Sequence, residues 1–492
     1  MGEQYIDIFW MFGLPMILSL LLGIFLHNYF HSDQDIRNRE AFLLVTVVWI
    51  LMVIVGALPF IASERLTLMS YEIGIAGAIF ESMSGLSTTG ATVLDLESSN
   101  PVNVSQYEAG YFDAPKSLLL WRSQMQWLGG MGIIVLATII FSRLFGGGIQ
   151  VLQAEMPGTG ITRLKPQMAQ TARLLWSLYF IMTVVEILLL SFLTDVPFYD
   201  AICNSFSTVS TGGFSPQRDS IGSYDDPLAV GIVSFFMLIS GINFVILYYV
   251  FNNFIDFTRN FSDRLKSSFR ILRENEELLF YLNLVLLSFS LIFINLILDR
   301  NNGNSNFSNL LHSFFQTVSL LTGTGFTTTN YMSWPQMSIF VLLLAMFTGG
   351  CAGSTTGGIK MVRIMLLFKA LKRELILVIH PRAVIKLRIG DKVLDENLFR
   401  NVGVFFFIFI ILFLLGSLVT LYLEPGLSVL DGISTSLSCL ANIGPGIGVI
   451  GPNETYSVFG EPTLIFLSIL MMLGRLEIIT VLLLFYPDTY RD

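Results

Sequence analysis

Nine long apolar stretches alternate with polar ones along the 492-residue chain, at 6–28, 41–63, 117–142, 171–194, 227–250, 277–298, 336–372, 399–423 and 462–486. A helix needs roughly 20 residues to cross a hydrocarbon core, so each stretch is predicted to span, the seventh with an interruption. Between alternate stretches the pattern changes. A short apolar segment of about 12 residues, too few to span, is followed by a polar run containing glycine, then by a loop and the next long stretch. Each short segment is predicted to be a half-helix that dips into the membrane and returns to the same face. The predicted unit is span, half-helix, polar turn, span, and it recurs four times at a period of about 120 residues.

The polar runs align on their fourth residue: Ser87-Thr88-Thr89-Gly90-Ala91-Thr92, Ser210-Thr211-Gly212-Gly213-Phe214-Ser215, Thr322-Gly323-Thr324-Gly325-Phe326-Thr327 and Ala441-Asn442-Ile443-Gly444-Pro445-Gly446. Another polar residue, Glu81, Asn204, Gln316 or Thr435, stands six positions before each run. One such run reads as an ordinary turn, which Gly, Ser, Thr and Asn commonly make; four at one offset point to a built site. Irregular backbone at membrane depth is tolerated only where it is buried in protein or lines a cavity. Four turns around one axis would present rings of carbonyl oxygens to a common line, the means by which potassium filters replace an ion's hydration shell. Glycine suits the fourth position because it tolerates positive φ. The half-helices aim their partially negative C-terminal ends at the centre, which favours a cation. Glu81 and Asp431 are placed to cap or brace these segments rather than to ligate the ion.

Composition agrees: 53% of residues are hydrophobic and 13% charged, with a mean hydropathy of +0.69, against about 25% charged in soluble domains. The chain is an integral membrane protein. Lys and Arg near span ends mark the cytoplasmic side, and 21 of the 28 fall in four alternate connections: Arg37 and Arg39, Arg143–Arg173, Arg259–Arg273 and Lys360–Arg400. The opposite connections hold Arg65, Lys116, Arg122, Arg218 and Arg300 among carboxylates such as Asp95, Glu97 and Asp195. The half-helices therefore enter from outside, the N-terminus lies outside, and Arg491 lies inside. The first stretch lacks a basic leader region and an Ala-x-Ala site, which makes it a mature helix rather than a signal peptide. Cys203, Cys351 and Cys439 have neither metal spacing nor an even number, and read as small buried hydrophobes.

These turns, with "WRSQMQWLGGMGIIVL" (Trp121–Leu136), "AEMPG" (Ala154–Gly158), "GGCAGSTTGGIK" (Gly349–Lys360), "HPRAV" (His380–Val384) and "GRLEI" (Gly474–Ile478), make the chain resemble the TrkH/KtrB family of potassium uptake proteins in the Trk/Ktr/HKT superfamily. The resemblance covers nearly the whole chain. It implies an all-α membrane protein of four linked span, pore-helix, span repeats with pseudo-fourfold symmetry around one pore. Residues 41–145, 146–260, 261–392 and 393–492 would form the repeats, and 1–40 one extra helix where the family usually has two. It also implies a K⁺ filter of backbone carbonyls at Thr88, Thr89, Gly90, Thr211, Gly212, Gly213, Gly323, Thr324, Gly325, Asn442, Ile443 and Gly444. In the superfamily glycine in every repeat goes with potassium and serine in the first with sodium, and all four are glycine here. The fourth run departs furthest from the pattern.

Five glycines in the ten residues Gly349–Gly358 interrupt the seventh stretch. No Lys-Ser/Thr follows, so this is not a phosphate-binding P-loop. Close helix packing through small residues is one reading; an unwound intramembrane loop explains more, since glycine destabilises a helix by about 1 kcal/mol relative to alanine. The family has such a loop acting as a gate, which assigns that role to Gly349, Gly350, Cys351, Ala352, Gly353, Ser354, Thr355, Thr356, Gly357 and Gly358. Arg475 lies in an apolar span, where an isolated charge costs at least about 2.5 kcal/mol, and should face the pore or a partner. Its counterpart in the family sits near the loop, as part of the barrier to ions. Glu477, two residues on, points away from it. Glu186 reads as a brace between helices rather than a transport site.

The resemblance implies a homodimer in a prokaryotic cell membrane, in contact with lipids and docked on a cytosolic nucleotide-binding regulatory ring of TrkA or KtrA type. Lys360–Arg400, with the strand-like "AVIKLRIGDKVL", is the expected docking face. K⁺ is expected as the transported, filter-bound ion, with no organic cofactor, no nucleic-acid partner and no enzymatic activity: His27, His31, His312 and His380 are scattered and form no catalytic constellation. The alternative is an H⁺- or Na⁺-coupled K⁺ symporter with alternating access through broken helices; inverted repeats would support it, but these repeats all enter from one side.

Overall fold

The computed structural model describes residues 2–29, 38–66, 72–94, 110–112, 114–144, 164–255, 260–299, 305–383, 385–386, 388–390, 392–393 and 396–482. Ala154–Gly158, Val384, Asp95, Glu97, His31, Arg37, Arg163, Arg259, Arg300 and Arg491 lie outside the described residues.

Helix α1 (Gly2–Tyr29) precedes the four units. The first comprises α2 (Asn38–Arg65), α3 (Gly74–Leu86) and α4 (Lys116–Leu144); the second α5 (Leu164–Leu193), α6 (Phe198–Val209), α7 (Pro227–Ser240) and α8 (Phe244–Ile255). Helix α9 (Phe261–Glu274) leads to the third, α10 (Glu276–Leu298), α11 (Asn306–Thr322), α12 (Gln336–Met346) and α13 (Met361–Ile379). Strands β1 (Arg388–Ile389) and β2 (Lys392–Val393) form an antiparallel hairpin within the strand-like segment. The fourth unit is α14 (Glu396–Leu423), α15 (Val429–Ala441), α16 (Glu461–Arg475) and α17 (Ile479–Leu482). The expected half-helices are thus α3, α6, α11 and α15, of 13, 12, 17 and 13 residues. Side-chain caps set the starts of two of them: Ser305 accepts from the Ser308 N–H at α11, and Ser428 and Asp431 form a capping box at α15.

The units close on one another in a ring. The second span of each packs on the next half-helix: α4 on α6, α7 on α11, α12 on α15, and α16 back on α3. Apolar residues cover the outside as well as the core, as the bilayer demands. Phe192, Leu286, Phe407 and Leu418 are exposed on the outside, while Glu81, Ser84, Thr89, Asn204, Ser207, Gln316 and Ser438 are buried at the half-helices.

Three expectations are corrected. The stretch 227–250 is not one helix: it breaks at Gly241–Asn243 and bends by 110° between α7 and α8. The Asn243 side chain accepts from the Val245 N–H at 2.8 Å and restarts the helix, while the Gly241 carbonyl accepts from the Cys351 N–H at 2.8 Å. The last span breaks at the same stage of its repeat, between α16 and α17, with Glu477 at φ 59°. Arg122, assigned above to an outer connection, lies instead inside α4 and is 1% exposed, because Glu81 offers it a buried partner.

Candidate ion pathway

The four turns share a backbone that side-chain identity hides. Left-handed residues recur at the second position, Thr88 (φ 52°), Thr211 (53°), Gly323 (72°) and Asn442 (57°), and at the fourth, Gly90 (83°), Gly213 (79°), Gly325 (83°) and Gly444 (96°). At the third position, the N–H groups of Thr89, Gly212, Thr324 and Ile443 donate to the carbonyls of Ser84, Ser207, Ser319 and Ser438 at 2.9, 2.7, 2.9 and 3.0 Å. The sequence reading passed over this serine, although it stands three residues before every run.

The fourth-position glycines interlock the copies. A Cβ on Gly90 would lie 2.2 Å from the Gly212 oxygen, on Gly213 1.9 Å from that of Thr324, on Gly325 2.0 Å from that of Ile443, and on Gly444 2.6 Å from that of Thr89. Each glycine thus abuts the third-position carbonyl of the next repeat, and the fourth closes on the first. The twelve predicted filter residues therefore come together in one ring at the ends of four half-helices.

Side chains support this ring differently in each quadrant. Hydroxyls of Ser87 and Thr89 pair at 2.7 Å, as do those of Thr322 and Thr324. In the second run, where the third residue is glycine, Gln126 of α4 fills the space, donating to the Gly212 carbonyl at 2.7 Å and accepting from the Phe214 N–H at 3.0 Å. In the fourth, Ser438 and Tyr456 donate to the Gly444 carbonyl at 2.5 and 2.7 Å, and Asn442 donates to the Thr89 hydroxyl at 3.0 Å. The Gly212 and Gly444 oxygens are therefore already held by protein donors, which treating the four runs alike did not anticipate.

Glu81 and Asp431 act as braces. Glu81 is fully buried, accepts from Arg122 Nε at 2.6 Å and from the Val93 N–H at 2.9 Å, and so fixes the limb after the first turn. The Arg122 guanidinium also stacks 4.1 Å from the Phe214 ring centroid, joining repeats one and two. Asp431 accepts from the Val449 N–H at 2.9 Å. Asp200, not singled out from the sequence, is buried and accepts from Tyr111, Gln217 and Tyr224 at 2.8, 2.9 and 2.9 Å. None of the three cysteines forms a disulfide, and all three are buried.

Between α12 and α13 the chain is unwound, as the glycines predict, and runs against the inner ends of the half-helices. Thr355 Oγ1 donates to the Val209 carbonyl at 3.2 Å and pairs with the Thr211 hydroxyl at 3.1 Å. The Gly353 carbonyl accepts from the Phe244 N–H at 3.2 Å. A Cβ on Gly357 would lie 2.4 Å from the Ala441 oxygen. Arg475, 3% exposed, donates to the Thr355 carbonyl at 2.8 Å and to the Gly129 carbonyl at 3.4 Å, so it ties the fourth repeat, the loop and the first repeat together. Glu477 instead pairs with Arg363 of α13. Glu186 of α5 is fully buried beside Thr208 of the half-helix α6, without a hydrogen bond of ordinary geometry among the described residues.

Residues 12–490 match the TrkH family, described as cation transport proteins. The chain belongs to the TrkH family. It is 36% identical over 459 residues to the Trk system potassium uptake protein TrkH of Salmonella typhimurium, covering 93% of this chain and 87% of that one. It is 37% identical over 462 residues to the protein of the same name in Escherichia coli K12, with the same two coverages. The crystal structure of the potassium transporter TrkH from Vibrio parahaemolyticus matches with a TM-score of 0.79 at 31% identity, over 98% of this chain and 93% of that chain. Membership in the TrkH family makes this a multi-pass membrane transporter and not an enzyme.

Proposed function

We propose that this chain is the pore-forming subunit of a Trk-type potassium uptake system. The observation that carries the reading is the closed ring of left-handed glycines, each against a third-position carbonyl of the next repeat, at the C-terminal ends of four buried half-helices. Left-handed residues at alternate positions turn successive carbonyls toward one side instead of to opposite sides, which suits a column of oxygen ligands for a dehydrated cation. Thr88, Thr89, Gly90, Thr211, Gly212, Gly213, Gly323, Thr324, Gly325, Asn442, Ile443 and Gly444 supply that backbone. Relatives named as potassium uptake proteins support K⁺ as the ion, bound in transit and not as a resident cofactor.

Below this ring, the loop Gly349–Gly358 and Arg475 form the gate. The Arg475 positive charge, held on the Thr355 carbonyl, opposes a cation leaving the filter inward, and moving the loop aside removes both obstacles. In this reading the chain works as a homodimer on a cytosolic nucleotide-binding ring of TrkA type; the name "Trk system" of its relatives supports further components of a system, and the dimer and the nucleotide rest on the family resemblance alone. The docking face is α13 with the β1–β2 hairpin.

The test is ⁸⁶Rb⁺ and ²²Na⁺ uptake by proteoliposomes. Gly90→Ser and Gly325→Ser push a side chain onto the neighbouring carbonyl and should lower K⁺ over Na⁺ discrimination. Unchanged selectivity in both folded variants would refute the filter assignment.

A further inference from the structure

Helix α9 links the second repeat to the third and has no role in the ring. Phe261, Leu265 and Phe269 project one turn apart along one of its sides and are 62, 44 and 66% exposed. Buried Ser268 and half-buried Leu272 share the Phe261 margin of this strip and, with Ile271, pack toward the protein. At about 100° of rotation per residue, Lys266 and Arg273 border the other margin, beside Phe269, and Asp263 and Glu274 lie opposite the strip. Leu265, Lys266, Phe269, Arg270, Arg273 and Glu274 together form one open, exposed side of this helix. The helix runs directly into α10, a membrane-spanning helix, and sits in a basic connection, so it lies at the cytoplasmic boundary.

We propose that α9 lies in the cytoplasmic headgroup layer and binds an anionic phospholipid. Phe261, Leu265 and Phe269 insert among acyl chains, and Lys266, Arg270 and Arg273 hold the phosphate. An apolar strip bordered by cations with carboxylates opposite is the polarity of an in-plane helix, and the negative surface potential of this leaflet supplies the complementary charge. Arg270 also lies 3.9 Å from Glu274, which leaves Lys266 and Arg273 as the stronger contacts.

The full chain tests this in liposomes, because Cys203, Cys351 and Cys439 are buried and leave an introduced cysteine as the labelled site. Phe269→Cys and Asp263→Cys are each spin-labelled and probed with oxygen and with a polar nickel complex. The label at 269 should be shielded from nickel and open to oxygen, and the label at 263 the reverse. In vesicles containing phosphatidylglycerol, Lys266→Gln/Arg273→Gln should weaken native-mass-spectrometry binding of that lipid about fivefold or more per cation removed. Equal nickel access at both sites, or lipid binding unchanged in the double variant, would overturn the proposal. So would shielding at 269 that appears only when the cytosolic regulatory ring is added, since α9 would then be a protein-docking face.

Discussion

Replacing Arg475 with glutamine separates a gate from a structural tie. The guanidinium donates to the loop at the Thr355 carbonyl, 2.8 Å away, and more weakly to Gly129, and its Nε has no hydrogen-bond partner among the described residues. A hydrogen bond from a charged group is worth about 1.5–3 kcal/mol, and glutamine is too short to reproduce both contacts. If that bond helps hold the loop closed, its loss raises the open fraction by about 10- to 150-fold, at 1.4 kcal/mol per tenfold. Stability should change little, because a buried charge costly to desolvate is removed at the same time. The assay is ⁸⁶Rb⁺ uptake by proteoliposomes without regulatory subunits, with a thermal melt on the same preparation. Uptake should rise by at least tenfold while the K⁺ to Na⁺ ratio stays at its original value, since the ring above is untouched. Arg475→Lys, which keeps the charge but not the fork, should fall between. A folded variant with unchanged or lower uptake, or one that melts early without conducting, would refute the gate and leave Arg475 as a tie between repeats.

Deleting Gly353–Gly357 should also raise regulator-free uptake, and a silent, well-folded deletion would count against the loop as the barrier. Arg122→Met should destabilise by about 3–5 kcal/mol, the usual effect of stranding one buried charge, whereas Glu81→Gln/Arg122→Met should recover part of the loss in the same denaturation scan. Gln126→Leu should weaken cation binding or selectivity by freeing the Gly212 carbonyl and leaving the Phe214 N–H without its acceptor, read as a changed Rb⁺ concentration dependence; unchanged flux parameters would make Gln126 a packing residue only.

The sequence exposed the fourfold repeat because one position in each turn admits little but glycine: a Cβ at Gly213 or Gly325 would sit on a carbonyl oxygen. It hid the second left-handed position, since Thr88 and Thr211 adopt φ of 52° and 53° against the preference of a β-branched residue, and only Asn442, at 57°, tolerates it readily. Such strain, of order 1–3 kcal/mol each, persists only where surroundings impose it, and the surroundings come from distant segments. The break at Gly241–Asn243 was hidden for the same reason: hydropathy runs on through it, and its backbone is satisfied by Cys351 and Gly353 of the loop. Arg122 looked extramembranous from its place in the chain, yet the carboxylate that buries it lies in the preceding half-helix.

The fourth run, "ANIGPGIG", fits the pattern least in letters and fully in backbone. Asn442 and Gly444 take the same left-handed positions, the Ile443 N–H meets the same serine carbonyl, and Gly444 closes on Thr89. Divergence is concentrated where support can come from elsewhere: a hydroxyl pair in runs one and three, Gln126 in run two, Ser438 and Tyr456 in run four. In the proposed filter a cation would meet backbone oxygens, so what the four repeats would have to share is the handedness that aims them. Third-position side chains are then free to vary; among the described residues only the Gly212 carbonyl takes a side-chain donor at this position, from Gln126. Substitutions at that position should therefore be tolerated when the local support changes with them, and not otherwise.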